Sequence, residues 1–279
     1  MRLLALVALS AGLWVDPGAS LAQQDLGGLV GGSTSSFAQS SPSRDPAELD
    51  SQQMKTEGRR TPTALRRAVL ELFTSQGCSS CPAADALLKR LADRGDVIAL
   101  SLSVDYWDYL GWKDTLASPK FTERQRAYAR TRGDGAIYTP QLVVNGMAHV
   151  NGSDETQIAH AIDHTERALP LVPVELRREH GTLVVEAGGS PQRAGKDATI
   201  WFVAIAKSVA VPIDRGENQG RTITYYNVVR QLTPVGKWNG SPVQIELNRD
   251  SLVGVERCAV LLQQGSTGPI LGAALLQEY

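Results

Sequence analysis

The sequence predicts an α/β domain followed by an all-β antiparallel domain. Two nearly continuous apolar runs, residues 68–73 and 97–104, flank one helix-forming stretch, a pattern typical of parallel strands that are covered on both faces. From residue 170 onwards, short β-rich runs are separated by Gly, Pro, Asn and Asp, as in an antiparallel sandwich. We therefore expect one domain at residues 66–169 and a second, sandwich-like domain at residues 170–279.

The chain begins with the pattern of a secretory signal peptide. An apolar run from Leu3 to Val15 follows Arg2, is too short to span a bilayer, and precedes a small-residue cleavage pattern that ends at Ala22. We expect cleavage near Ala22, loss of residues 1–22, and a mature protein that is secreted or periplasmic. The later sequence has no apolar run of membrane-helix length, so we expect no transmembrane segment.

Residues 23–65 are rich in Gln, Ser, Gly and Pro and contain few large apolar side chains. Such a segment cannot bury enough apolar surface to offset its conformational entropy. We therefore expect a disordered linker between the signal peptide and the first domain.

The first domain should contain two parallel strands joined by a helix. The strand at residues 68–73 leads into helix-forming residues 83–91, Gly95 ends that helix, and the second strand follows at residues 97–104. A strand, helix, strand order of this kind makes the two strands parallel neighbours. Their carboxyl ends then share one edge of the sheet.

A second helix and a hairpin should follow. Ser118 and Pro119 have the residue types preferred at a helix start, and Gly133 is suited to the helix end. Asn145 and Gly146 separate two short β-rich runs, which is a strong short-range signal for a β-hairpin. A last helix then completes the first domain.

The motif with the clearest chemistry is Cys78-Ser79-Ser80-Cys81, between the first strand and the first helix. Two cysteines at this spacing can close a disulfide, and the unpaired N–H groups of a helix N-terminus favour the thiolate of the first. We therefore expect Cys78 to be a solvent-facing nucleophile and Cys81 to be the resolving thiol. The same spacing also occurs in structural disulfides and in half of a zinc site. No second C-x-x-C or H-x-x-H completes a zinc site, so we expect no metal and no cofactor besides the dithiol.

The element order and a second motif resemble the thioredoxin superfamily. C-x-x-C follows the first strand, and Thr139 and Pro140 stand directly before the hairpin, where thioredoxins and glutaredoxins have a cis-proline. The resemblance implies a thioredoxin-like fold for the first domain, a cis bond before Pro140, and contact of Pro140 with the dithiol. It also implies that the backbone at Thr139 pairs with an extended substrate. The alternative is an ordinary trans proline at the start of a strand.

Three longer segments, residues 71–85, 105–112 and 220–229, resemble a family of secreted thioredoxin-like proteins known as domain of unknown function 1223. The resemblance extends from about residue 68 to residue 279. It implies a fold but no established reaction.

Glu71 interrupts the apolar first strand, and its position resembles that of the buried acid behind the dithiol of thioredoxins. A buried carboxylate is costly unless it is protonated or paired, so its presence in a central strand needs a reason. We expect Glu71 to shuttle a proton to and from Cys81. The alternative is an edge position in which Glu71 faces solvent.

An aromatic segment, residues 105–112, follows the second strand and should lie at the same sheet edge as Cys78. Aromatic rings provide binding area with few rotamers to order. We expect Tyr106, Trp107 and Tyr138 to bind the substrate. Alternatively, the rings only close the open end of the sheet.

Together these features predict an exported thiol–disulfide oxidoreductase whose substrate is a protein or a small thiol or disulfide. The net charge of -1 gives no basic surface, so we expect no nucleic-acid partner. The alternative is a non-catalytic protein in which a thioredoxin scaffold keeps a structural disulfide and binds a ligand or a partner.

Overall fold

The computed structural model describes residues 68–168, 171–247 and 255–276, so the predicted signal peptide (residues 1–22) and linker (residues 23–65) lie outside the described residues. The described chain forms three α-helices: α1 (Cys81–Arg94), α2 (Pro119–Arg132) and α3 (Glu155–Ala168). Its strands are β1 (Ala68–Thr74), β2 (Val97–Ser103), β3 (Gln141–Val144), β4 (Ala148–Asn151), β5 (Val174–Glu179), β6 (Thr182–Ala187), β7 (Ala198–Pro212), β8 (Thr222–Trp238), β9 (Val243–Leu247), β10 (Arg257–Gln264) and β11 (Ile270–Leu276). Within these ranges, none of the helices has the length and apolar character that crossing a membrane requires.

Eight strands form one mixed sheet, in the order β11-β10-β7-β8-β2-β1-β3-β4. β1 and β2 are parallel, and β8 joins the other edge of β2 in parallel through Ser101 and Val228. The long antiparallel pair of β7 and β8 continues the sheet towards β10 and β11. β5, β6 and β9 form a separate three-stranded sheet. The large sheet therefore contains strands from both sides of residue 170.

The predicted fold class, an α/β thioredoxin-like domain followed by an all-β antiparallel sandwich-like domain, is wrong. The described chain is mostly β-strand, and strands from both predicted domains hydrogen-bond into one eight-stranded mixed sheet. The prediction fails because it considers only segments that are neighbours in sequence. The edge of β2 that those neighbours leave unpaired is taken by β8, which comes from a distant part of the chain.

Several local predictions are confirmed. Gly95 and Gly133 end α1 and α2 in the left-handed conformation, with φ angles of 76° and 79°. Ser118 caps α2, since its side chain accepts a backbone hydrogen bond from the first turn. Asn145 and Gly146 turn the hairpin of β3 and β4 with φ angles of 50° and 67°. These features depend on neighbouring residues, so the sequence is sufficient to predict them.

Side chains of β1 alternate between the two faces of the large sheet. Leu70 and Leu72 pack with α1 and α3 on one face, whereas Val69 and Phe73 pack with α2 on the other. Both β1 and β2 are buried along their whole length. The loops at their carboxyl ends therefore emerge together at one edge of the sheet, and this edge carries the dithiol.

Candidate functional site

The two cysteines of the C-x-x-C motif form a disulfide in the turn between β1 and α1. The Cα atoms of Cys78 and Cys81 are 5.4 Å apart. The Cys81 N–H donates to the Cys78 carbonyl at 3.2 Å, and α1 begins at Cys81. The exposed fractions of Cys78 and Cys81 are 2% and 0%. The expectation that Cys78 faces solvent is therefore wrong, because other parts of the chain cover it.

The loop between β7 and β8 is one of these parts. The Asn218 side-chain amide donates to the carbonyl groups of Gln76 and Cys78, both at 2.9 Å, and Asn218 is buried. The Glu217 carboxylate accepts from the Ser79 N–H at 3.0 Å, and the Ser79 side chain together with this backbone hydrogen bond lowers the pKa of Glu217. The sequence does not predict this contact, because it joins residues far apart in the chain.

The loop after β2 holds the backbone that precedes the dithiol. Asp114 accepts from the N–H groups of Gln76 and Leu116, both at 2.8 Å. Burial raises the pKa of Asp114, and these hydrogen bonds oppose the increase. Trp112 Nε1 donates to the side-chain oxygen of Gln76 at 2.8 Å. Gln76 is thereby fixed at both its backbone and its side chain.

Trp107 connects the dithiol turn to the segment that contains Thr139. A Cβ placed on Gly77 would lie 3.0 Å from the Trp107 Cβ, so a larger residue at Gly77 would displace Trp107. Trp107 Nε1 donates to the Thr139 hydroxyl at 2.8 Å. The Tyr109 ring stacks on Trp107 with centroids 6.4 Å apart, and Tyr109 is 77% exposed. The structure thus brings Trp107 and Thr139 together beside the dithiol and adds Tyr109, which the sequence analysis does not assign to the site.

The Thr139–Pro140 peptide bond is cis, as predicted. Pro140 is buried beside the first turn of α1: a Cβ placed on Gly152 would lie 3.3 Å from the Pro140 Cβ and 3.2 Å from the Ala84 Cβ. The Gly152 N–H donates to the Pro140 carbonyl at 3.0 Å. Pro140 therefore lies next to the helix that begins with Cys81.

The other two residues predicted to bind substrate, Tyr106 and Tyr138, are half-buried. The Tyr106 ring lies 6.2 Å from the Trp107 ring, and burial raises the pKa of Tyr106. The Tyr138 hydroxyl is hydrogen-bonded to His149 Nδ1 at 2.9 Å, and His149 Nε2 lies 3.3 Å from Asp134 Oδ2. Tyr106 thus belongs to the aromatic group beside the dithiol, whereas the Tyr138 hydroxyl is part of a separate polar chain.

Glu71 is buried, but its side chain lies on the α2 side of the large sheet. Arg124 Nε and Nη2 donate to its two oxygens at 2.7 and 3.2 Å. The Tyr128 hydroxyl also donates to Glu71, and Gln263 accepts from Arg124 at 3.0 Å. The helix that carries Cys81 packs on the opposite face. Because side chains alternate along a strand, this geometry removes the physical basis for a proton shuttle at Glu71.

The buried acid on the dithiol side of the sheet is Asp85. It is 3% exposed and lies in α1, four residues after Cys81. Neither carboxylate oxygen has a hydrogen-bond partner within the described residues. Burial raises the pKa of Asp85 from 3.8 to about 7; the Thr74 hydroxyl, which lies near the carboxyl but outside normal hydrogen-bond geometry, opposes this increase, and the charge of Asp114 adds to it. The sequence holds a signal for this position, since Asp85 falls on the same helix face as the buried Leu88.

The third cysteine, Cys258, is free and buried in β10. Burial raises the pKa of its thiol to about 11, so the reactive thiolate is scarce near neutral pH. In the part of the chain that the structure describes, no three His, Cys, Asp or Glu side chains come together where a metal ion could bind. Among the described cysteines, Cys78 and Cys81 therefore form the disulfide, and Cys258 is a separate buried thiol.

The sequence matches a family model over residues 69–263, described as "Protein of unknown function (DUF1223)". The chain belongs to the DUF1223 family. In this chain the matched residues span the positions of the dithiol, Asp85, and the loop with Glu217 and Asn218.

This DUF1223 chain is also similar to solved structures. An Agrobacterium tumefaciens protein solved by X-ray crystallography is 36% identical with a TM-score of 0.67, over 75% of this chain and 93% of that one. HBP35 of Porphyromonas gingivalis is 13% identical with a TM-score of 0.52, over 76% of this chain and 75% of that one, and this likeness concerns the fold alone. No curated protein matches the chain.

Proposed function

We propose that this DUF1223 protein is a thiol–disulfide oxidoreductase whose reactive group is the Cys78–Cys81 pair. The observation that carries the proposal is the disulfide at the start of α1, directly after β1, with Trp107 packed against Gly77 and Pro140 near Ala84 of α1. The substrate would be a protein or a small thiol or disulfide. Because the two sulfurs themselves accept or supply the two electrons, the reaction needs no further cofactor.

In the reducing direction, the Cys78 thiolate attacks a substrate disulfide, forms a mixed disulfide and releases one substrate thiolate. Cys81 then loses its proton and attacks the Cys78 sulfur. The bond between Cys78 and the substrate breaks, and the second substrate thiolate leaves and takes up a proton. One substrate disulfide is reduced by two electrons while the enzyme dithiol is oxidised. The reverse sequence oxidises a substrate dithiol.

A polypeptide with apolar side chains fits the surface beside the dithiol. Among the described residues, the large apolar side chains that are exposed are Tyr109 and Ile137, at 77% and 41%. They belong to the two segments that the hydrogen bond between Trp107 and Thr139 joins. An extended chain would pair with the backbone near Thr139 and pack its side chains on these residues.

The proposed function includes a location outside the cytoplasm. The predicted signal peptide, residues 1–22, would direct the protein to a secreted or periplasmic location, where disulfides form and persist. Its substrates would then be other exported proteins or small thiols of that compartment, and not nucleic acids.

A second candidate function is a non-catalytic ligand- or partner-binding protein with a structural disulfide. The burial of both Cys78 and Cys81 favours it, because a covered disulfide is poorly accessible to external thiols. In that case the aromatic group of Tyr106, Trp107 and Tyr109 would form the binding surface without redox chemistry.

Trapping of mixed disulfides tests the proposal. Cys81→Ser should accumulate mixed disulfides with exported proteins, because the nucleophile is present while the resolving thiol is lost. Cys78→Ser should trap nothing, and a Cys81→Ser, Cys258→Ala variant should trap as much as Cys81→Ser alone. If Cys81→Ser traps nothing in cells and the wild-type disulfide resists mild reductant, the enzyme proposal fails and the binding function is favoured.

A further inference from the structure

A group of buried polar side chains without hydrogen bonds lies between α1 and the large sheet. Atoms without a partner in the described residues include Thr74 Oγ1, both oxygens of Asp85, Ser103 Oγ and the Tyr225 hydroxyl. Thr74 and Ser103 face each other at the carboxyl ends of β1 and β2, and α1 packs against β1, β2 and β8. Buried polar groups are normally hydrogen-bonded, so this concentration next to a reactive disulfide needs an explanation.

Asp85 is the acidic member of this group and lies in the same helix as Cys81. Residues four apart in a helix lie on the same face, with Cβ atoms about 5–6 Å apart, so Asp85 lies one turn behind Cys81. Cys81 and Asp85 are both almost fully buried. A proton leaving the Cys81 thiol therefore has little access to bulk water, and a buried carboxyl lies one helical turn away.

The charge environment of Asp85 suits proton exchange near neutral pH. The titratable groups that face it are Asp114 from the loop after β2 and Tyr225 from β8, with Arg221 near Tyr225. Burial raises the pKa of Asp85 to about 7, and the Asp114 charge acts in the same direction. Both the acid and the carboxylate are then populated at pH 7, which is the condition for efficient general acid–base catalysis.

We propose that Asp85 accepts the proton of the Cys81 thiol when the mixed disulfide is resolved and returns it when the dithiol is regenerated; this inference rests on the proposed oxidoreductase function. In the resolving step the S–H proton moves to the Asp85 carboxylate, directly or through one water molecule. The sulfur electron pair forms the bond to Cys78, and the bond from Cys78 to the substrate sulfur breaks. Thr74 and Tyr225 are positioning residues whose hydroxyl groups lie near the carboxyl.

The resolving step can be timed with dithiobis(nitrobenzoate), which is an aromatic disulfide. The reduced protein releases one coloured thiolate when Cys78 forms the mixed disulfide and a second when Cys81 resolves it. Asp85→Asn should slow the second release by about 100-fold at pH 7 and leave the first unchanged. The difference should shrink as the pH rises towards 10, because hydroxide then removes the Cys81 proton directly. Asp93→Asn, an exposed change on the same helix, is the matched control and should behave as wild type.

The wild-type protein gives a second measurement that does not depend on a variant. The rate of its second thiolate release should rise with pH and show an apparent pKa near 7, below the value of about 8.5 for a free thiol. Equal second-release rates in wild type and Asp85→Asn after a normal first release would overturn the role of Asp85 alone. Absence of the first release from every variant that retains Cys78 would overturn the oxidoreductase proposal and, with it, this inference.

Discussion

The Asn218 side-chain amide donates a hydrogen bond of 2.9 Å to the carbonyl of Cys78. The same amide nitrogen donates to the Gln76 carbonyl, so it bridges the residues on either side of Gly77. Asn218 comes from the loop between β7 and β8, and its own oxygen is held by Arg221 at 2.8 Å. A loop from the second half of the chain therefore holds the turn that carries Cys78.

We predict that Asn218→Ala makes the disulfide easier to reach. Loss of both hydrogen bonds should free the loop and raise the rate of reduction by dithiothreitol by about 30-fold, since the two bonds together contribute about 2 kcal/mol. Quenched alkylation and mass spectrometry measure that rate. Asn239→Ala, in a distant turn where the side chain holds only Ser241, is the control and should reduce at the wild-type rate. An unchanged rate in Asn218→Ala would show that another element controls access.

The Glu71–Arg124 pair should be essential for the stability of the fold and should have no effect on the reaction of the dithiol. Arg124→Met leaves Glu71 buried without its cation, which should lower the free energy of unfolding by about 3–5 kcal/mol in urea titrations. Arg130→Met removes an exposed pair with Glu123 on the same helix and should change stability by less than about 1 kcal/mol. In protein that is still folded, the pH profile of the second thiolate release should match wild type. A shifted pH profile in Arg124→Met would show that Glu71 does take part in proton transfer at the dithiol.

Asp85 should make the fold less stable as the pH rises. Its pKa in the folded protein is about 7, above the ordinary 3.8, so the folded state binds the proton more tightly than the unfolded state. The stability this gives is fully present below about pH 4, is lost as the pH rises through 7, and amounts to about 4 kcal/mol. Asp85→Asn should therefore match wild type near pH 4 and exceed its stability at pH 8. Urea titrations at both pH values measure this, and a difference independent of pH would contradict it.

The local structure around the site could be predicted from the sequence. The parallel pairing of β1 and β2, the helix ends at Gly95 and Gly133, and the turn at Asn145 each follow from residues close together in the chain. The fold class could not, because the pairing of Ser101 with Val228 joins distant strands that local patterns cannot match. The contact between Asn218 and Cys78 could not be predicted for the same reason, because it joins residues far apart in the chain.

A comparison of the buried acids Glu71 and Asp85 shows what a sequence pattern cannot predict. Each interrupts an apolar stretch, and both are buried. What separates them is the face of the sheet on which each side chain lies and whether a cation meets it there. Arg124 reaches Glu71 from α2, whereas neither Asp85 oxygen has a hydrogen-bond partner in the described residues. That difference is set by tertiary packing.

The position of β2 inside the large sheet bears on the order in which the chain can fold during its synthesis. A ribosome makes β1, α1 and β2 long before β8, yet β8 supplies the neighbour on one side of β2. Until β8 has been made, the apolar strand β2 has an unpaired edge that can hydrogen-bond to strands of other chains. A gene fragment that stops near residue 170 should therefore yield an aggregating product, and a chaperone that shields this strand edge would be needed until translation is complete.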